Sequence, residues 1–325
     1  MSTHLFCVAT LATRLTPELH ENIEQARQIG VPYVLVADPR HLSSLDSAAV
    51  AHTIEHEWTG SYGKARSAGA AGISKIDLAE WVIWVDADEL VVEFDLAEVE
   101  AILQDARASD ALTLTVQDPL RAESIPRAHH CTTHWSGDVH EYIECVRMGG
   151  HLPVTLEHSG YLDEELTLRK FQYYFSKTQN QALADPNNPR WIYFCVRDGQ
   201  FFVEWQKIIQ WVRRLFDIYG TSQPIGGLDG RDYLEAAVSV AKKSALKRGG
   251  RADIEALVLC LVENQEYINA LHLDLLALKD RGEALEEHRY RAAANMVSSQ
   301  QDDPVANECR ELLELQKNQI RHLDT

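Results

Sequence analysis

The chain has 325 residues, 45% of them hydrophobic and 25% charged, the profile of a globular protein long enough for two domains. Its formal net charge of −18 argues against binding bare nucleic acid or an anionic membrane over a broad face, so an anionic ligand would need a metal ion and a few placed cations. No apolar run approaches the length of a membrane span. The first ten residues lack a basic region and a cleavage signature, so no signal peptide is expected. The six cysteines show no C-x-x-C spacing, and several sit in apolar runs, which points to reduced core thiols in a cytoplasmic protein.

In chain order, Leu5–Ala9 reads as a first strand. Thr16, Pro17 and Glu18 open a helix as N-cap, first-turn proline and first-turn acid, and Leu19, Ile23, Ala26 and Ile29 share one face until Gly30 ends it. Tyr33–Ala37 is a second strand, closing at Asp38 and Pro39. A helix with a small-residue face covers about 64–74. The run Trp-Val-Ile-Trp-Val before Asp86 is too short for a helix and too apolar for a surface, so it reads as a buried strand. An amphipathic helix carries Leu96, Val99, Ile102, Leu103 and Ala106, and strands are expected at Leu112–Val116 and Pro153–Glu157. This alternation predicts an α/β domain with a mostly parallel sheet. After about residue 165 helical periodicity prevails, with turns near 185–189, 220–230 and 249–250, so an all-α region of five or six helices is expected. Glu308 to Leu323 reads as a surface or partner-facing helix.

Chemistry concentrates where strands end, because ligands of open α/β sheets bind at the carboxyl ends of the strands. Asp86 and Asp88, spaced i, i+2 after an apolar strand, are costly to desolvate unless a cation, commonly a divalent metal, faces them. The competing reading is a solvated turn in which one of them caps a helix. Asp38 can accept hydrogen bonds from a base or ribose, or serve only as a turn residue before Pro39. Gly60-Ser-Tyr-Gly-Lys64-Ala-Arg66 approaches a helix with two cations, a composition that suits phosphate. His134-Trp-Ser-Gly-Asp138-Val-His140-Glu141 and His158-Ser-Gly-Tyr161 hold the residue types for proton transfer and metal binding.

Over residues 5–165 these segments resemble glycosyltransferase family 2, inverting enzymes of the GT-A fold. YGKARSAGAAGISKIDLAEWVIWVDADEL is similar to the family's Ala-Arg-Asn helix, apolar strand and Asp-Ala-Asp-Glu metal motif. HWSGDVHEYIE and LEHSGY are similar to the Trp-x-Gly-x-x-His-Glu and His-x-x-Tyr segments of a subgroup with a helical or TPR-like tail. Ser67 stands where that family has Asn, Thr10–Arg14 lacks its Lys-Asn-Glu, and Asp38-Pro39-Arg40 replaces its Asp-x-x-Ser-x-Asp turn.

The resemblance implies a Rossmann-like GT-A catalytic domain over 1–165, then an α-helical domain over 166–325 that shapes the acceptor site or forms a homodimer. It implies Mn²⁺ or Mg²⁺ on Asp88 and His158, and a nucleoside diphosphate sugar, UDP-linked by expectation, against Thr10, Asp38, Arg66, Asp86 and Ala87. Glu141 would be the general base, with Asp138 and His140 as alternatives. Protein, glycan, lipid and modified nucleic acid all stay open as acceptors. A sugar-nucleotide pyrophosphorylase is the first rival, disfavoured because Thr10–Arg14 has no glycine. The second is a non-catalytic helical scaffold with a decayed transferase domain.

Overall fold

Alternation of side chains across the strands decides which residues meet on each face of the sheet. In the strand that precedes Asp86, Trp81, Ile83 and Val85 join one apolar cluster, while Val82 and Trp84 join another. The second strand divides in the same way, Tyr33 and Leu35 from Val34 and Val36. Both faces are therefore covered, as a period-2 chain buried on two sides requires.

A computed structural model describes residues 4–45, 50–118, 122–145, 147–158, 164–248, 250–281, 283–285, 287–298, 300 and 303–323. The first elements are β1 (His4–Ala12), α1 (Pro17–Gln28), β2 (Tyr33–Ala37), a 3-10 turn (Pro39–Ser44), β3 (His52–Glu55), α2 (Tyr62–Lys75) and β4 (Ala79–Trp84). They continue with β5 (Glu89–Phe94), α3 (Leu96–Asp105), β6 (Asp110–Gln117), β7 (Ala122–His130), β8 (Trp135–Ser136), β9 (Tyr142–Ile143), β10 (Arg147–His158) and α4 (Glu164–Ala184).

Eight strands form one mixed sheet in the order β3-β2-β1-β4-β7-β6-β10-β5. The pairings make six of them run the same way, with β7 and β5 opposed. The ends of β2, β4 and β10 consequently lie at one edge, and Asp38, Asp86, Asp88 and His158 are found there.

α1 begins as its sequence predicts: Oγ1 of Thr16 accepts from Leu19 N, and Pro17 occupies the first turn. On the opposite face of the sheet, α2 approaches closely because it is built from small residues. A Cβ on Gly69 would lie 2.6 Å from Val36 and 2.8 Å from Trp84, and one on Gly72 would meet Ile54 at 2.8 Å. Only glycine fits such an approach. It brings α2, and with it Arg66, down against the end of β4.

The chain forms two units, Met1–Ala184 with Pro224–Leu228, and Asp185–Gln223 with Asp229–Thr325. The division falls after α4 rather than near residue 165. α4 belongs with the sheet because Gln181 accepts from the backbone N–H of Asp138 and Tyr174 packs edge-on against His140. Helical periodicity begins at the start of α4, but the tertiary contacts change only at its end.

The second unit holds α5 (Pro189–Gly199), α6 (Trp205–Ile218), α7 (Gly230–Arg248), α8 (Arg251–Glu263), α9 (Tyr267–Arg281), α10 (Glu287–Ser298) and α11 (Pro304–Leu323). With α4 this makes eight helices among the described residues, more than the five or six read from turn signals, because short connections such as 264–266 carry no glycine or proline. Beyond residue 200 the described residues show no strand, only one bridge between Ile225 and Leu228. α11 is not simply a surface helix: Cys309, Leu312 and Leu313 enter an apolar cluster with Leu275, Leu278 and Val297, while Leu315 stays exposed.

Candidate functional site

The centre of the site in the first unit is a buried guanidinium. Arg66 is 2% exposed, and its Cζ lies 5.1 Å from the ring centroid of Trp84 and 4.9 Å from that of Trp135. Its Nη2 donates to Oδ1 of Asp86 at 2.7 Å and its Nε to Oε1 of Glu141 at 3.0 Å. Nη1 is buried without a hydrogen-bond partner. Arg66 therefore does not stand open as a phosphate clamp; it braces two acids from different segments.

The indoles that enclose it are themselves fixed. Trp84 and Trp135 both donate their Nε1–H to Nε2 of His129, at 2.9 and 2.7 Å. That nitrogen must then be an acceptor, so the ring proton is on Nδ1, which donates to the His130 carbonyl at 2.9 Å. Burial pushes the His129 pKa down to about 4, which keeps the imidazole neutral.

Asp86 has a second cation. Nη2 of Arg127, from β7, donates to Oδ2 of Asp86 at 2.7 Å and to Oε1 of Glu89 at 2.9 Å, and Oε2 of Glu89 accepts from Asp86 N. Burial opposes ionisation of Asp86, but Arg127 and then Arg66 outweigh it and hold the carboxyl well below the usual range. Ala87 contributes its backbone: its carbonyl accepts from Oγ1 of Thr16.

Asp88 faces outward, its side chain 44% exposed. Its Oδ2 lies 3.4 Å from Nε2 of His158 and 3.7 Å from Nζ of Lys170. The hydrogen bond to His158 lowers the Asp88 pKa and raises that of His158. Among the described residues no group of three His, Cys, Asp or Glu side chains converges as a metal cage. The pair still fits Mg²⁺ or Mn²⁺. One carboxylate and one imidazole at that separation suit a cation that keeps water and takes its remaining ligands from substrate phosphates. Ser159 to Tyr161, the rest of the His-Ser-Gly-Tyr segment, lie outside the described residues.

The loop that holds Asp138, His140 and Glu141 is joined to the start of α2. Tyr62 N and Gly63 N donate to the carbonyls of Asp138 and Gly137, and a Cβ on Gly63 would sit 2.5 Å from the Gly137 oxygen. Ser67 bonds both backbone groups of Trp135 through its hydroxyl, which gives that departure from the family motif a local role. His140 has φ +50°.

Two residues expected at the nucleotide are engaged elsewhere. Thr10 is fully buried, its Oγ1 bonded to the Val85 carbonyl at 2.8 Å and to the Tyr33 hydroxyl at 2.7 Å. Asp38 caps the 3-10 turn, and its two oxygens accept from Arg40 N, the Arg40 guanidinium and Trp58 N. Those bonds, Arg40 first, hold it far below the usual carboxylate range. This is the turn role open to a residue before Pro39. Arg127, His129 and Lys170 were not singled out in the sequence. The first two stand in β7, whose Ala-Glu-Ser-Ile-Pro start shows no strand alternation, and Lys170 follows a helical period with nothing to mark it.

No family model matches the sequence, and no curated protein matches it. Among solved structures it is similar to the crystal structure of mannose-1-phosphate geranyltransferase from Thermus thermophilus, at 16% identity and a TM-score of 0.26. The match covers 35% of this chain and 41% of that one, less than half the length of either.

Proposed function

We propose that the first unit is a metal-dependent inverting glycosyltransferase, moving a sugar from a nucleoside diphosphate sugar, with UDP the leading carrier, to an acceptor nucleophile. The observation that carries this reading is the pairing of an exposed Asp88 with His158, at one sheet edge with the Asp86–Arg66–Glu141 chain. A carboxylate–imidazole pair that suits a cation and a separate carboxylate held for a proton are the two elements such a transfer needs.

In this reading Asp88 and His158 hold Mn²⁺ or Mg²⁺. The ion supplies Lewis acidity that compensates the charge growing on the departing diphosphate. Lys170, beside Asp88, adds a fixed positive charge for the same phosphates. Asp86, ionised and oriented by Arg66 and Arg127, accepts hydrogen bonds from ribose or sugar hydroxyls. Glu141 takes the proton of the acceptor as its oxygen attacks the anomeric carbon from the face opposite the diphosphate, which inverts the configuration. Asp138 and His140, on the same loop, are the alternatives.

A screen of nucleoside diphosphate sugars for Mn²⁺-dependent rise of melting temperature tests the reading, since a ligand of the native state raises it. Stabilisation by a nucleotide sugar only with the metal present supports it. A screen in which no nucleotide sugar stabilises the chain overturns it.

A further inference from the structure

The helical unit contains a cavity of about 880 Å³ between α7, α9, the end of α10 and the start of α11, the size of a small-molecule site. Lys242 lies on its wall and is only 8% exposed. Its Nζ donates to Oδ1 of Asn269 at 3.1 Å and lies 2.7 Å from Nδ1 of His272. Nε2 of His272 lies 3.0 Å from Oε2 of Glu308. An ammonium can only donate, so Nδ1 accepts and the ring proton stands on Nε2, facing Glu308. The imidazole is therefore neutral, and both partners of the buried ammonium carry no charge.

A buried charge without a counter-ion is costly, and none of the ion pairs among the described residues includes Lys242. Burial lowers its pKa from the ordinary lysine value, and burial together with Lys242 lowers that of His272. Glu308 and Asp303 favour the charge on Lys242, but neither lies within ion-pair reach of Nζ, and the cavity's acids have nearer partners. Arg231 pairs with Glu235 at 2.8 Å and Glu266 at 2.9 Å, and Asp303 caps α11 by accepting from Val305 N and Ala306 N. Glu308 faces the proton on His272. These acids outnumber the bases of the wall, Arg231, Lys242 and Lys243, by one, so a phosphate dianion would be repelled. A single negative charge seated directly on Nζ supplies the missing counter-ion with the least repulsion. Val238, Leu276 and Val305 supply apolar wall in the same cavity.

We propose that this cavity binds a small organic monocarboxylate, its carboxylate on Nζ of Lys242 and its hydrocarbon part against Val238, Leu276 and Val305. The site lies wholly in the helical unit and stands independently of the transferase reading.

The test uses the full chain with benzoate, benzamide and phenyl phosphate as probes in saturation-transfer NMR. Benzoate is expected to receive the strongest transfer, and Lys242→Met to weaken its binding at least about tenfold. Benzoate is also expected to protect Lys242 from arylation by trinitrobenzenesulfonate, mapped by mass spectrometry, where benzamide does not. This arm uses the unaltered protein, so it decides the matter even if Lys242→Met fails to fold. Equal transfer to benzoate and benzamide, no transfer to benzoate, a preference for phenyl phosphate, or unprotected Lys242 would each overturn the proposal.

Discussion

Nε of Arg66 donates to Oε1 of Glu141 at 3.0 Å, tying the residue read as general base to a guanidinium closed between two indoles. The same guanidinium reaches Asp86, so one buried cation sets the spacing between the acid that follows β4 and the acid of the 137–141 loop. Its planar fork presents two donors at fixed angles, which a lysine cannot reproduce.

Glu141→Gln keeps the shape and the acceptor oxygen but cannot take a proton. A positioned base contributes about 10²–10⁴-fold to rate. The substitution is expected to lower kcat by that order while donor KM changes little, measured with the donor that the stabilisation screen identifies. Transfer at near the wild-type rate would move the base to Asp138 or His140.

Arg66→Met should act on stability before it acts on chemistry. It removes the buried partner of two carboxylates, and breaking such a pair costs about 3 kcal/mol, reduced here because Asp86 keeps Arg127. A loss of about 2 kcal/mol in urea denaturation is expected. A loss under about 0.5 kcal/mol would mean that the guanidinium's bonds to Asp86 and Glu141 contribute almost nothing to the fold.

His129 makes the fold sensitive to acid. Its native pKa is about 4 against an ordinary 6.5, so the unfolded chain binds the proton more readily. The stability linked to this neutral ring is present above pH 6.5 and is lost as pH falls toward 4, about 3 kcal/mol in all. His129→Gln offers an amide oxygen to the indoles and does not titrate. Its stability is expected to decline less than that of the wild type between these pH values, in urea melts at matched ionic strength. Parallel curves would show that the ring is not held neutral by its burial.

The sheet and the edge where its acids gather were legible because β1, β2 and β4 are dense apolar strands and Asp38 and Asp86 follow two of them. The helical tail was legible from its period. β7 was hidden: it places Arg127 and His129 beneath the site through antiparallel pairing with β4 and β6, and long-range pairing leaves no local signature in a segment so polar. The direction in which Arg66 points was hidden as well. Its position in the α2 motif suggested phosphate, but two tryptophans from segments before and after β7 turn the guanidinium inward. Asp38 shows the same limit: its capture by Arg40, two residues on, and by Trp58 N depends on how the chain returns through β3.

Asp88→Asn separates metal from fold. The side chain is 44% exposed, and its contacts are His158 at 3.4 Å and Lys170 at 3.7 Å, so the carboxylate that is removed is a solvated one. Asparagine keeps the size and a hydrogen bond to His158, and the melting temperature is expected to stay within about 2–3 °C of the wild type, the range for an exposed substitution. What it loses is the negative charge that a hard divalent cation requires of an oxygen ligand. In calorimetry, UDP is expected to bind the wild type more tightly with Mn²⁺ than without it, and the variant equally with and without. His158→Ala should behave alike, because two protein ligands are too few for either to be dispensable. If Mn²⁺ still strengthens UDP binding to Asp88→Asn, the cation is held elsewhere at the sheet edge, and Asp86, freed from Arg127, becomes the residue to replace next.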